Sequence, residues 1–504
     1  MTAMIRAAFL AALVFSGLAH SAVAQDVTLT SRDGALAISG QLQGYDGEFY
    51  RIDSAYGLLT VDAQGVLCDG PACPDLTAPK AVIRVVGAPE LGAALMPRLV
   101  AGFAASQGLT LTAPDRPDAP SLLADPATGK ILAEFSFQSL PPAAAHEALA
   151  SGRAELLLAS ASDPAFGSRT LGLDPLVAIS APDNPVPAIA TPDLARALTG
   201  EVTNWSDIGG PDMPLVLHGL SDEADLNRAL AARLGRKIAA TVVHDSAEAL
   251  ARAVERDPWA LAVTGRSVTG AARVLGLTDS CGFPLLPSPL AVKAEDYPLT
   301  LPIYFLTPRR RLPLVAREFL EFLALPTAQQ AVEAAGYVGR GMARQPMTVD
   351  GLRLINAIQG AGEETTLADL KALVAAMQGA ERLSFTFRFQ DGGSEMEPQS
   401  RDSLADLARL IESGVFADEA LVLAGFSDGS GAAKANLDLS LQRATQVLTA
   451  LRQATPGMAE AAQPTVAAFG ESLPMACDET AAGRRLNRRV EVWIKPSFLA
   501  ERDK

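Results

Sequence analysis

The sequence predicts an α/β protein of several domains, with a small β module first and an α+β sandwich last. Three patterns carry this prediction. Short apolar runs separated by Asp-Gly and similar turns fill residues 26–76, which is typical of β-hairpins. Strand-like and helix-like segments alternate from residue 80 to about residue 340, which favours a mainly parallel sheet covered by helices. A strand with strict two-residue alternation then opens the last region at Leu383.

Length and composition support several folded domains. The chain has 504 residues, of which 49% are hydrophobic and 20% are charged. A domain holds roughly 100–200 residues, so we expect more than one, each able to bury a core. The formal net charge is −15. Because nucleic acids are bound by basic surfaces, this charge disfavours a nucleic-acid partner.

Residues 1–24 have the pattern of a secretory signal peptide. A basic start ends at Arg6, an apolar segment runs from Ala7 to Ala19, and an A-x-A cleavage pattern occupies residues 22–24. A transmembrane anchor is the alternative, but the apolar run is shorter than the ~20 residues that a spanning helix needs. No later stretch approaches that length, so we expect an exported mature chain without a transmembrane segment.

The four cysteines fit an oxidising compartment. Cys68 and Cys73 bracket a turn-forming Asp-Gly-Pro-Ala sequence, and we expect a disulfide between them. A metal site is the alternative, but no cysteine or histidine cluster completes one, so no metal is expected. Cys281 and Cys477 either pair with each other across domains or stay free.

The β module is expected over residues 25–78. A module of this size buries little core of its own, and the disulfide would compensate for that. We assign it no chemistry. Its strand-like runs are 27–29, 36–38, 49–52 and 58–61.

Residues 79–340 are expected to form the largest domain. Residues 200–210 read Gly-Glu-Val-Thr-Asn-Trp-Ser-Asp-Ile-Gly-Gly, and a closing helix leads to Gly-Tyr-Val at 336–338. This region resembles the periplasmic phosphate-binding proteins of the PstS type. The resemblance implies the two-lobed fold of periplasmic binding proteins, with a second lobe at about 177–266 and a ligand cleft between the lobes.

Three loops would line this cleft, at 87–90, 159–162 and 218–225. Phosphate binding needs hydroxyl groups and backbone N–H groups at helix N-termini. The first loop has no hydroxyl, and the first and third carry carboxylates, which repel phosphate when they are unpaired. We therefore expect a different small ligand, a protein partner or a cleft kept as a scaffold, with a small anionic ligand as the alternative. The candidate cleft residues are Ser160, Ser162 and Ser221.

The chain then passes through a predicted linker into the last domain. Residues 341–380 are predicted to be a short helical linker, with a helix at 367–377 that Thr366 caps. Residues 381–497 follow the order β-α-β-α-β-β, which predicts the α+β sandwich.

An acid and an arginine in the last domain have a spacing that suits a zwitterionic ligand. Asp428 lies in a glycine-rich loop after an apolar strand, and Arg443 lies about 2.5 turns into the next helix. Asn436, Ser440 and Arg443 share one face of that helix. Asp428 can accept hydrogen bonds from an ammonium group, and Arg443 can hold a carboxylate. The alternative is an acid in a turn and an arginine on a solvated face.

The same region resembles the OmpA-like peptidoglycan-binding domain over about residues 381–496. The matching motifs are Gly-Phe-Ser-Asp at 425–428, Leu-Ser-Leu-Gln-Arg-Ala at 439–444 and Asn-Arg-Arg-Val-Glu at 487–491. The resemblance implies that Asp428 holds the amino group of diaminopimelate in the peptidoglycan stem peptide and that Arg443 holds its carboxylate. The expected peptidoglycan-binding residues are Asp428, Arg443, Asn436, Ser427 and Ser440.

We expect a non-catalytic protein of the periplasm, associated with the cell wall and the outer membrane. The histidines left after signal removal, His146, His218 and His244, have no metalloprotease or Ser-His-Asp context, and no nucleotide-binding loop is present, so no cofactor is expected. The alternative is a solute-binding receptor for phosphate or a related oxyanion that serves a transporter. Arg488 and Arg489 either reach the glycan or stem peptide or close the sheet.

Overall fold

The computed structural model describes residues 27–31, 33–45, 49–73, 80–114, 116, 119–359, 361, 364–390, 393–458 and 463–496. The predicted signal segment, residues 1–24, lies outside the described residues. Among the described helices, none combines the length and the apolar character that crossing a membrane requires.

The N-terminal module is an antiparallel sheet of five strands in the order β4-β3-β2-β1-β5. Its core is built from residues at alternate positions along each strand, which face the same side of the sheet; Leu29, Tyr50 and Ile52 are among them. The expected disulfide joins Cys68 on the last strand to Cys73. The strands are β1 (Val27–Ser31), β2 (Ala37–Tyr45), β3 (Phe49–Ser54), β4 (Gly57–Asp62) and β5 (Val66–Asp69).

The next domain, which we call the cleft domain, alternates strands and helices as predicted. Its strands are β6 (Ala81–Gly87), β7 (Thr110–Thr112), β8 (Ser121–Ala124), β9 (Ile131–Ser139), β10 (Leu156–Ala159), β11 (Gly167–Ser180), β12 (Ala188–Ala190), β13 (Val216–Leu220), β14 (Val242–His244), β15 (Ala260–Gly265), β16 (Arg273–Val274), β17 (Gly276–Thr278), β18 (Pro284–Leu285), β19 (Thr300–Thr307) and β20 (Val338–Gly339). Its helices are α1 (Pro89–Ser106), α2 (Pro142–Ala150), α3 (Thr191–Leu198), α4 (Asp225–Leu234), α5 (Ala247–Val254), α6 (Pro289–Lys293), α7 (Leu314–Phe322) and α8 (Pro326–Ala334).

The long strand β11 connects two halves of this domain. It pairs with β19 over residues 167–175 and with β15 over residues 176–180. On one side, the parallel strands β6, β9 and β10 with α1 and α2 form what we call the first lobe. On the other side, the parallel strands β13, β14 and β15 with α3, α4 and α5 form the second lobe. Strands β10 and β15, which lie inside the sheet, are buried along their whole length, which is typical of parallel strands covered on both faces.

The C-terminal domain is a five-stranded sheet in the order β21-β22-β25-β23-β24 with helices packed on it. The β-α-β-α-β-β order predicted for it is present, with one additional short helix before the last strand. Its elements are β21 (Arg344–Pro346), α9 (Gly351–Gln359), α10 (Leu367–Met377), β22 (Glu381–Arg388), α11 (Pro398–Glu412), β23 (Glu419–Gly425), α12 (Ala433–Ala454), β24 (Thr465–Ala468), α13 (Ala481–Asn487) and β25 (Arg489–Pro496).

The described residues between 341 and 380, a range predicted as a helical linker, are packed as part of the C-terminal domain. Strand β21 pairs with β22. The helix expected at 367–377 is present, and Thr366 forms a capping box with Asp369. Leu373 and Met377 are buried against Trp493 of the C-terminal sheet. The apolar positions of this segment therefore cover one face of the sheet and do not form a separate spacer.

The cleft domain and the C-terminal domain meet through buried charges. Asp296, between α6 and β19, accepts from Arg388 of β22 at 2.8 Å and forms an ion pair with Arg382 of the same strand at 2.8 Å, and all three side chains are almost fully buried. A disulfide joins Cys281 of the cleft domain to Cys477. The structure thus selects the cross-domain pairing that the sequence left open.

We expect Asp296→Asn to lower the free energy of unfolding by about 3 kcal/mol, because it leaves two buried guanidinium groups without their shared carboxylate. Urea unfolding would measure the change. The matched control is Glu295→Gln, since Glu295 is the neighbouring acid but is half-exposed, with guanidinium contacts of only 3.8–4.0 Å. The control should cost less than about 1 kcal/mol. Equal losses in the two variants would contradict this account of the junction.

Candidate binding sites

The loop after β23 places Asp428 at the surface of the C-terminal domain with a guanidinium beside it. Asp428 Oδ2 accepts from Arg488 Nη1 at 3.0 Å, and Oδ1 accepts from the backbone N–H of Ser430 at 3.1 Å. Its side chain keeps 12% of its area exposed. The carboxylate is therefore held in place through both oxygens, and little of it is exposed.

Arg443 lies on α12, below this loop, and is fully buried. Its Nε donates to the carbonyl of Gly393 at 3.0 Å, and its guanidinium carbon lies 5.6 Å from the centre of the Phe389 ring. Nη1 lies 3.5 Å from the carbonyl of Phe426, which begins the Asp428 loop. The predicted pair thus lies on neighbouring elements, but the described partner of Asp428 is Arg488.

The other predicted residues of this site face the same junction of loop and helix. Asn436 donates to Glu471 at 2.6 Å, and Ser440 accepts from the backbone N–H of Gly470 at 3.1 Å. Ser427 is buried, and its hydroxyl has no hydrogen-bond partner among the described residues. These side chains join the loop, the helix and the turn after β24.

Gly425 allows helix α12 to pack this close to the loop. A Cβ atom at this position would lie 2.1 Å from the carbonyl oxygen of Ser440, so a side chain there would push the helix away from the strand. Gly425 is the last residue of β23, and the loop with Asp428 follows directly. The close approach therefore brings the Asn436–Arg443 face of the helix against the loop.

Two features of this site were not predicted in full. Arg488 follows α13 and pairs with Asp428, whereas Arg489 is fully buried against Glu491 and the Phe426 ring. Burial lowers the pKa of Arg489 to about 10, although Glu491 opposes this effect. The sequence left both arginines open between ligand and sheet, and the structure gives them different surroundings. Asp478, which accepts from the N–H of Gly429 at 2.7 Å, was missed because it lies 49 residues away in the chain.

The cleft domain contains a cavity of about 270 Å³ between its lobes. The first lobe lines it with residues 87–90, 139–142 and 157–159, and the second lobe lines it with residues 220, 221, 223–225 and 245–247. The loops predicted at 87–90 and 218–225 therefore meet at one cavity, whereas the predicted loop 159–162 contributes only Ala159. The segments 139–142 and 245–247 were not predicted, although each lies at the start of a helix.

The predicted cleft serines have different positions. Ser221 lines the cavity, whereas Ser162 is exposed. Ser160 contributes its backbone, because its N–H donates to Asp225 Oδ2 of the second lobe at 3.3 Å. His218 is buried, and its Nδ1 lies 2.9 Å from His244 Nε2.

Carboxylates beside the cavity resist ionisation. Burial raises the pKa of Glu90, and the charges of Glu248 and Asp225 raise it further. Burial also raises the pKa of Asp174 to about 7, with repulsion from Glu90 added and attraction to Arg266 opposing it. Asp174 lies on β11, and its Oδ1 has no described hydrogen-bond partner. The centre of the cleft domain therefore holds more acidic groups than its cations neutralise.

Comparisons with known proteins agree with two binding domains. Residues 154–327 match the family model described as PBP superfamily domain, and residues 388–488 match the OmpA family. The chain therefore contains a PBP-like domain and a C-terminal OmpA domain, which confirms the OmpA resemblance and, for the cleft domain, the resemblance to periplasmic binding proteins at the level of the superfamily.

Similar solved structures include a putative phosphate ABC transporter substrate-binding protein with bound phosphate from Clostridium perfringens, at 17% identity over 52% of this chain and 100% of that chain, with a TM-score of 0.42. An ABC-type phosphate transport receptor from Vibrio cholerae is 17% identical over 51% of this chain and 99% of that chain, with a TM-score of 0.40. The probable lipoprotein YiaD of Escherichia coli (strain K12) is 30% identical over 108 residues, which are 21% of this chain and 47% of the relative. The chain thus spans about half the length of this curated relative.

The raised pKa of Asp174 predicts a pH-dependent stability. Because its pKa is about 7 in the folded chain and about 3.9 in an unfolded chain, the protonated carboxyl stabilises the fold fully below about pH 4, and this stabilisation is lost as the pH rises through 7. Asp174→Asn should therefore flatten the fall in Tm between pH 5 and pH 8 and raise the Tm at pH 8.

Thermal unfolding of both proteins at several pH values would measure this effect. Asp207→Asn is the control, because Asp207 is an exposed carboxylate of the same domain. A pH profile that is the same for wild type and Asp174→Asn would show that Asp174 titrates normally.

Proposed function

We propose that this protein is a non-catalytic component of the bacterial cell envelope that attaches to peptidoglycan through its OmpA domain and presents a ligand-binding cleft domain. The two matched domain families are binding families, which supports a binding role. The observation that carries the proposal is the group formed by Asp428, Arg488 and Arg443 beneath one loop. We place the protein in the periplasm, next to the cell wall and the outer membrane.

The charges of this group suit the free end of diaminopimelate. This residue carries an ammonium and a carboxylate on one carbon, so it needs an acceptor and a cation close together. Asp428 and Arg488, whose side chains are 12% and 9% exposed, offer the acceptor and a forked donor, whereas the fully buried Arg443 would hold the carboxylate only after the loop above it moves. Asp428 is already paired with Arg488. The ammonium of the ligand would share the Asp428 carboxylate with Arg488, and the carboxylate of the ligand would bind the Arg488 guanidinium.

The cleft domain supplies the second half of the proposal. A cavity bounded by two lobes, with a strand shared between them, is an arrangement in which a small ligand can be enclosed. A transport-type receptor for phosphate or a related oxyanion is the second candidate, because helices α1, α2, α4 and α5 begin at this cavity. Calorimetry of the wild-type protein with phosphate tests this candidate, and a submillimolar Kd would favour it.

We expect Asp428→Asn and Arg443→Lys each to weaken binding to peptidoglycan by about tenfold or more, since each removes a charge-assisted hydrogen bond worth about 1.5–3 kcal/mol. Cosedimentation with purified peptidoglycan over a range of protein concentrations would measure the affinity. Lys434→Ala is the matched control, because Lys434 is on the same helix and its side chain is 86% exposed.

Competition would identify the ligand group. Free meso-diaminopimelate should release the protein from peptidoglycan at lower concentration than lysine, which lacks the second carboxylate. Normal pelleting of both variants, with an unchanged Tm, would reject the proposed site.

A further inference from the structure

The cavity between the lobes is surrounded by groups that favour negative charge. Four helices begin at its wall, and their first residues are Pro89, Pro142, Asp225 and Ala247. The unpaired N–H groups of a helix N-terminus carry a partial positive charge, so four such ends together favour an anion between them.

The chain fills this position with its own carboxylates. Glu90 lines the cavity from the first lobe, and Glu223, Asp225 and Asp245 line it from the second lobe. Burial raises the pKa of Glu90, and repulsion from Glu248 and Asp225 raises it further. The acids therefore approach the cavity from both lobes.

Asp225 is the acid that connects the two lobes. It is the first residue of α4, and its side chain is 16% exposed. Its Oδ2 accepts from the backbone N–H of Ser160, at the end of β10 in the first lobe, at 3.3 Å, and its Oδ1 lies 3.7 Å from Arg228 Nη1. One carboxylate thus takes a hydrogen bond from one lobe while it stands in the first turn of a helix of the other.

We propose that Asp225 determines the specificity of the cleft: its carboxylate occupies the place where an oxyanion would bridge the lobes, and it excludes phosphate and similar anions in favour of neutral or cationic ligands. This inference rests on the proposed ligand-binding role of the cleft domain. A free oxyanion would have to displace the carboxylate from Ser160 and lie against a like charge. A ligand with an ammonium group would find Asp225 and its neighbouring acids as acceptors.

Calorimetry with inorganic phosphate tests the proposal on the full-length mature protein. Wild type should bind phosphate at least about tenfold more weakly than Asp225→Ser, because the variant frees the Ser160 N–H and the start of α4 and supplies a hydroxyl. Asp225→Asn, which keeps the size of the side chain but removes its charge, should also gain affinity. The matched control is Asp222→Asn, because Asp222 belongs to the same loop but does not line the cavity, and its exposed side chain is paired with Lys237 at 2.7 Å.

The result that overturns the proposal is a phosphate affinity that is the same in wild type, Asp225→Ser and Asp225→Asn, with all three folded by Tm. An equal gain of phosphate affinity in Asp222→Asn would overturn the proposal too, since removal of any negative charge from the domain would then be enough to improve phosphate binding. Small-angle scattering gives a second measure, because loss of the Ser160 contact should make the ligand-free variant more open than wild type.

The specificity proposal and the ligand-binding role fail in different ways. A thermal-shift screen of wild type with amines, amino acids and neutral solutes tests the ligand-binding role. If that screen finds no ligand but Asp225→Ser gains phosphate binding, Asp225 is the residue that excludes phosphate, and the proposed ligand-binding role of the wild-type cleft fails. If wild type binds an amine and Asp225→Ser gains nothing with phosphate, the binding role stands and the specificity proposal fails.

Discussion

Buried ion pairs between arginines and carboxylates are the constraint that holds the cleft domain and the C-terminal domain in one arrangement. Asp296 neutralises Arg382 and Arg388, and Glu491 lies between Arg353 and Arg489 with distances of 2.6 and 2.7 Å. Burial alone would raise the pKa of Glu491, but the surrounding arginines outweigh it and hold that pKa well below its ordinary range. Each of these buried charges is paired with side chains from distant segments. Movement of one segment would therefore expose a charge to solvent or leave a buried charge unpaired.

This junction also connects the two sites. Cys477 is bonded to Cys281 of the cleft domain, and the next residue, Asp478, holds the N–H of Gly429 in the Asp428 loop. The cleft-domain segment at the junction packs into the core of the second lobe through Leu285 and Val292. The second lobe and the OmpA domain are therefore tied together, and a change in the cleft that separates the lobes at β11 would displace the first lobe relative to both.

Local sequence patterns predicted the elements well and their long-range partners poorly. The start of α12 near Ala433, the cap at Thr366 and two of the three cleft loops follow from signals contained within a few residues. The partners of Asp428 and Gly429 come from segments 60 and 49 residues away, and no local pattern records such a distance. The packing of residues 341–380 onto the sheet was missed for the same reason, since an amphipathic helix shows that it has a partner but does not show which one.

The two sites differ in what their central carboxylate contacts before any ligand arrives. Asp428 faces a guanidinium, so a zwitterion can exchange partners with that pair and leave every charge neutralised. Asp225, at the start of a helix, accepts from a backbone N–H, and its only described cationic neighbour, Arg228, is half-exposed and lies 3.7 Å from its Oδ1. Under the two proposals, the carboxylate of Asp428, held tightly by Arg488, would receive a ligand of both signs, whereas the carboxylate of Asp225, held mainly by a backbone N–H, would itself occupy an anion site.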